Sequence, residues 1–232
     1  MGALRRRLHN LDAIFLSRIY SRSIVHVIGD SHVLAFVKNR FFIIHHIGPA
    51  TAHNLCLQTS TTHSNEKLLK IVKKINKKRD FAVLVFGEID SRVHIYYQYM
   101  KQKEVVPISQ IINETVSKYG EMLKLLDKSG LSFFVYGIPP ASKRENNYNY
   151  PFYANKEMRV MISRELNESL KKFCMQNGYQ YLDVQSQFAD TSGFIIEEFA
   201  ADDVHLNQRA ATMVAEDLRI KIGSRGRAKL GY

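Results

Sequence analysis

Five short apolar runs, four of them closed by a glycine, constrain this chain more than any other feature. They cover 24–28 before Gly29, 41–47 before Gly48, 82–86 before Gly87, 131–136 before Gly137, and the shorter 179–184. Runs of this length, with little polar alternation, fit strands buried on both faces, as in a parallel sheet. The segments between them change period. Leu68, Ile71, Val72 and Ile75 share one helical face. So do Ile112, Val116, Tyr119, Leu123 and Leu126, then Met158, Ile162, Leu166, Leu170 and Phe173, and finally Leu206, Ala210, Val214 and Leu218. Strand and helix alternate, which predicts an α/β fold with helices on both faces of the sheet. In such sheets ligands bind beyond the carboxyl ends of the strands. The loops that open at Gly29, Gly48, Gly87 and Gly137 and after Val184 are therefore where chemistry is expected.

The chain of 232 residues carries a formal net charge of +11, which raises the question of a nucleic-acid partner. The distribution argues against one. Residues 1–22 hold five arginines against Asp12, residues 219–232 hold five basic residues and no acid, and 67–79 hold seven and no acid. Everything else is net negative. The 67–79 cluster flanks an apolar helical stripe, as a solvated helix face does, and no base-reading motif accompanies it. The expectation is no specific nucleic acid, with weak association to an anionic surface through the basic termini. Leu4, Leu8, Leu11, Phe15 and Ile19 lie at helical spacing within the basic N-terminal segment. That stripe predicts a first helix lying on the domain by its apolar face, or a membrane-surface or partner-binding helix.

Residues 1–23 lack the apolar stretch of a secretory signal, and no run reaches a membrane span. A cytoplasmic location is the expectation. The domain plan is a basic amphipathic segment at 1–23, one domain at 24–222 and a basic tail at 223–232. Cys56 and Cys174 predict buried thiols and no disulfide framework. The stretch from Pro139 to Asn155, rich in Asn and Tyr at 146–153, predicts a long loop after the fourth strand, and such loops are often functional.

Four strand ends carry polar, chemically able residues. Gly29-Asp30-Ser31-His32 follows the first strand. A serine on a tight strand-to-helix turn is exposed, and backbone N–H groups nearby can face a developing oxyanion. Asp-Ser is also ordinary helix-cap chemistry. Asp202-Asp203-Val204-His205-Leu206-Asn207 precedes the last helix. There His205 can act as a general base, with Asp202 orienting its ring, or Asn207 can simply cap the helix. Each motif raises the weight of the other.

The sequence resembles the SGNH, or GDSL-type, hydrolase family on those residues. Gly29-Asp30-Ser31 resembles its first block, with the nucleophile, and Asp202-x-x-His205 its last block, with the Asp and His of the triad. Gly48 sits where the second block has its oxyanion glycine. Gly87-Glu88-Ile89-Asp90 sits where the third block has Gly-x-Asn-Asp. The resemblance implies a three-layer α/β/α sandwich with a five-stranded parallel sheet, flavodoxin-like in layout. It implies Ser31, His205 and Asp202 as the catalytic residues, with no cofactor and no metal.

One position departs from the pattern. Ile89 stands where the family supplies an asparagine donor to the oxyanion hole, and loss of one such donor typically lowers kcat by ~10²–10³. Arg92 is a candidate replacement, or else a salt-bridge partner of Glu88 or Asp90, and these carboxylates can also position His205. The segment Gly-Glu-Ile-Asp-x-Arg-x-His also resembles a subgroup found among glycan-assembly enzymes. That resemblance brings His94 and the Gly48–His53 loop into the site, with Thr51 and His53 lining it beside Ser31. A metal held by His53, His94 and Asp90 is conceivable, but their spacing does not demand it. The expected activity is removal of an O-acyl group, O-acetyl above all, from a small-molecule or glycan ester. The alternatives are O-acyl transfer to a glycan, or a catalytically impaired glycan-binding accessory protein.

Overall fold

Strand β1 (Val25–Gly29) is an interior strand of a sheet that runs, edge to edge, β2 (Phe42–His46), β1, β3 (Phe81–Val85), β4 (Phe133–Tyr136), β5 (Gln180–Leu182). Every pair is parallel. The computed structural model describes residues 3–20, 23–40, 42–59, 61–144 and 153–229. The Asn- and Tyr-rich stretch at 146–150 lies outside the described residues.

Alternate side chains of each strand enter different layers, because successive residues point to opposite faces. Ile28, Ala82, Leu84, Phe133 and Val135 pack into one core. There they meet α2 (Ser64–Val72), α4 (Ile108–Lys128) and α5 (Lys156–Gln176), including Leu68, Ile112, Tyr119, Leu123, Ile162 and Leu166. Val25, Val27, Ile44, Val83, Val85 and Phe134 pack into the other. There they meet the 3-10 turn Ser31–Phe36, α6 (Val184–Phe188) and α7 (Gln208–Lys229), including Val33, Phe36, Phe188, Val214 and Leu218. The runs are continuously apolar because both faces are covered. This is the α/β fold with helices on both faces that the alternation predicts, and the three-layer α/β/α sandwich that the resemblance implies. Helix α3 (Ile95–Lys101) has no counterpart in the predicted elements. Helix α7 continues to Lys229, past the boundary drawn at 222.

Helix α1 (Ala3–Ile19) corrects one expectation. It does lie on the domain, but by its polar side. Asn10 Nδ2 donates to the Ile44 carbonyl at 3.0 Å, and the Ile44 amide donates to Asn10 Oδ1 at 2.9 Å. His9 Nε2 lies 3.0 Å from the Phe42 carbonyl. Ala13 and Ile14 pack against Ile24 and Ile43. The apolar stripe Leu4, Leu8, Leu11, Phe15 and Ile19 faces outward and is exposed. The physical reason is the strand edge. The outer side of β2 presents unpaired backbone N–H and C=O groups, and these need polar partners that leucines do not provide. Among the described residues, no helix is long and apolar enough to cross a membrane.

The order β2-β1-β3-β4-β5 reverses direction between β1 and β3, so the chain leaves these neighbours toward opposite faces. A crevice opens at such a switch point. The segments that follow are Asp30–Phe36 after β1 and Gly87–His94 after β3.

Candidate active site

The turn after β1 is tight because Gly29 cannot be anything larger. A Cβ placed there would lie 2.0 Å from the Val85 carbonyl oxygen on β3. The chain then bends through Asp30, whose carboxylate accepts the His32 amide at 3.0 Å and caps the 3-10 turn. Ser31 is the first residue of that turn, so its own N–H has no partner within it.

The loop before α7 brings the second half of the site. Asp202 accepts the amides of Val204 and His205, each at 2.8 Å, which curls the loop back on itself. The same carboxylate meets His205 Nδ1 at 3.0 and 2.9 Å. His205 Nε2 then reaches Ser31 Oγ at 2.8 Å, across 174 residues of sequence. Burial opposes ionisation of Asp202. The His205 and Val204 amides and the His205 ring outweigh it and hold the carboxyl below its usual range. Asn207 caps α7, accepting the Arg209 and Ala210 amides at 3.0 and 3.2 Å, and it also donates to the Glu198 carbonyl at 2.7 Å. A cleft of about 360 Å³ opens here, lined by Ser31, Leu34, Ala35, Ala201, His205 and Leu206 among others.

Beneath this line lies a buried charged row. His32 is 4% exposed, and its ring sits 4.6 Å, centre to centre, from that of His205. His32 Nε2 lies 3.5 Å from Glu88 Oε2. Arg92 grips Glu88 with two bonds, Nε to Oε1 at 2.6 Å and Nη2 to Oε2 at 3.2 Å. Burial alone would raise the Glu88 pKa. His32 and Arg92 overcome it and hold the carboxyl at about 2. Burial likewise disfavours charged His32, but Asp30 and Glu88 reverse the effect and raise its pKa. The two roles that the sequence leaves to Arg92 thus separate, with Nε and Nη2 committed to the ion pair.

The other expected residues gather one step away. Asp90 is fully buried and accepts the amides of Ala52 at 2.6 Å and His53 at 3.1 Å. Burial, with the Asp30 charge nearby, outweighs these amides and raises its pKa to about 7. Asp90 therefore anchors the loop that contains Thr51 and His53. Thr51 is half-buried there, and its carbonyl accepts the Asn54 amide at 3.2 Å. The His53 and His94 rings stand 4.6 Å apart. His53 also meets Lys118 Nζ at 3.0 Å. Burial, with His53 and Lys118 beside it, lowers the His94 pKa to about 4. Among the described residues, no three His, Cys, Asp or Glu side chains group as metal ligands. Gly48, at φ +94°, lines a groove on the β2 side with His46, Lys67 and Lys70.

His32 is a residue of the site that the sequence does not single out. It adjoins Ser31 in the motif, but its significance rests on Glu88 and His205, which are distant in sequence. Of the Tyr- and Asn-rich loop only its end is described. There the Arg159 guanidinium lies 4.7 Å from the centre of the Tyr153 ring.

No family model matches this chain, and no curated protein matches it. Solved structures do. A GDSL-like lipase from Bacteroides thetaiotaomicron superposes with TM-score 0.58 at 13% identity, covering 95% of this chain and 98% of that one. A carbohydrate acetylesterase from Sinorhizobium meliloti gives 0.53 at 13%, covering 88% and 99%. A catalytic mutant of an acetylxylan esterase from Geobacillus stearothermophilus gives 0.52 at 13%, covering 87% and 94%. At such identities the likeness is one of fold, and it spans nearly the whole of each molecule.

Proposed function

We propose that this chain is a serine esterase of the SGNH type that removes O-acyl groups, O-acetyl above all, from carbohydrate. The observation that carries the reading is the unbroken line from Asp202 through His205 to Ser31 Oγ, with both contacts at hydrogen-bond distance. A nucleophile, its base and the group that orients the base stand in the order acyl transfer requires.

The reaction then runs in two halves. Ser31 Oγ attacks the ester carbonyl while His205 Nε2 accepts its proton. Asp202, kept ionised, holds the Nδ1 proton and stabilises the imidazolium. The oxyanion forms beside the Ser31 N–H at the start of the 3-10 turn, and the role of second donor is assigned to the Gly48 amide from the family resemblance. As the tetrahedral species collapses, His205 returns the proton to the leaving alkoxide oxygen and the acyl group stays on Ser31. Water, deprotonated by His205, attacks the acyl-enzyme, and collapse restores the serine.

Arg92 completes its task by neutralising Glu88, and the pair fixes His32 under the His205 ring. The small walls of the cleft, Ala35 and Ala201, suit a short acyl group. The sugar as alcohol is supported by the carbohydrate and xylan esterases that share the fold. The Gly87–His94 sequence extends the reading to an esterase that acts on glycans during their assembly, with Thr51, His53 and His94 along the path of the sugar.

A fluorophosphonate probe is expected to label Ser31. Ser31→Ala and His205→Ala are each expected to lower turnover of p-nitrophenyl acetate by about 10⁴–10⁶-fold. Undiminished turnover in either variant overturns the triad. With an acetylated oligosaccharide as donor and a second glycan added, released acetate supports hydrolysis. Acetyl appearing on the second glycan reassigns the same triad to transfer.

A further inference from the structure

Helix α1 carries its hydrophobic residues on the wrong side for a helix that only packs on its own domain. Leu4, Leu8, Leu11, Phe15 and Ile19 are 73, 55, 61, 65 and 57% exposed. They recur at intervals of four, three, four and four, which is a single continuous stripe along the helix. Ala13 and Ser17, on the opposite side, are fully buried. Arg5 and Arg7 are both exposed and flank the stripe, one on each side. Residues 3–20 hold four arginines against Asp12.

We infer that α1 is a docking surface for an anionic lipid bilayer, into whose headgroup layer its apolar stripe inserts. An amphipathic helix lying in the interface gains from buried apolar area and from basic residues that meet acidic headgroups. Both are present here in the geometry the bilayer needs, an apolar centre with guanidinium groups at its margins. The positive charge does not stop at the helix. Lys67, Lys70 and Lys74 line the groove beside β2 with His46. Burial, together with Arg6 and Lys67, lowers the His46 pKa, so one arginine of α1 and one lysine of α2 act on the same side chain. A parallel pair of such helices fits less well, because it would bring the Arg5 and Arg7 ends of the two copies together. The inference rests on α1 alone and stands whether or not the triad hydrolyses esters.

Sedimentation with vesicles tests it. The full chain is expected to pellet with vesicles of equal parts phosphatidylcholine and phosphatidylglycerol, and to stay in solution with phosphatidylcholine alone. The double variant Leu8→Glu/Phe15→Glu is expected to lose partitioning by about tenfold or more. Arg5→Glu/Arg7→Glu is expected to lose it too, and the wild type to release at high salt. Since all four side chains are exposed, melting temperature and p-nitrophenyl acetate turnover should be unchanged in both variants. Failure of the wild type to pellet, or equal binding to neutral vesicles, overturns the proposal. So does a wild-type dimer by light scattering that Leu8→Glu/Phe15→Glu converts to monomer, which assigns the stripe to a second copy.

Discussion

Glu88 and Asp90 stand two residues apart, both are buried, and their environments drive them in opposite directions. Glu88 has two cationic partners, His32 and Arg92, and its carboxyl is held at about 2. Asp90 has amide donors, and its pKa is raised to about 7. The consequences for stability have opposite sign. A depressed carboxyl contributes stability above its unfolded value, 4.5 for Glu88, and loses it as pH falls toward 2. A raised carboxyl such as Asp90 contributes in acid and loses the contribution as pH rises through 7. Glu88→Gln should therefore unfold more easily than the wild type at neutral pH, by about 3–5 kcal/mol for breaking a buried pair. The gap between the two should close between pH 4.5 and 2, followed by circular dichroism. A constant gap across that window would show that the Glu88 charge does not matter. The same residue shows a limit of the sequence. The motif offers Arg92 either carboxylate as a partner, and only the helical conformation from Glu88 onward, which stacks Arg92 one turn above Glu88, decides between them.

At the scale of elements, the site depends on how closely β1 and β3 approach. Gly29 has the Val85 backbone where its Cβ would be. Gly29→Ala must push the two strands apart at the point from which Ser31 departs. A loss of about 1–3 kcal/mol is expected from the overpacking. Turnover should fall as well, because Ser31 lies two residues after Gly29 and its contact with His205 depends on where the turn leaves β1. A variant with wild-type melting temperature and turnover would refute this account of the turn. These elements were legible in the sequence, since continuous apolar runs and 3.6-residue stripes are local consequences of burial. The Ser31 and His205 loops were legible for a related reason: both carry polar residues at element ends, where a buried α/β fold leaves its chemistry. The orientation of α1 was not. Periodicity reveals that a helix has an apolar face, but not that its neighbour is a strand edge in need of hydrogen bonds. Helix α3, only seven residues long, gives too little pattern to detect.

On the scale of the whole molecule, α1 belongs to the sheet as much as to the surface. Its Asn10 side chain supplies one donor and one acceptor to Ile44, as a sixth strand would. Asn10→Ala is expected to cost about 1–3 kcal/mol for the two groups left unpaired. Amide exchange at Ile44 should accelerate well beyond that at Val27, on the interior strand β1. Equal protection of the two amides would mean that the edge is held by something other than Asn10.

A chain trimmed of its first 22 residues, a natural choice for anyone wishing to remove an exposed oily helix, would keep the triad, both cores and all five strands. It would also present β2 as an unpaired template, ready to add a strand from another molecule. Precipitation of such a product would be seeded growth along a bare edge, and would say nothing about whether the catalytic half had folded. The helix that looks most dispensable is the part that keeps the sheet finite.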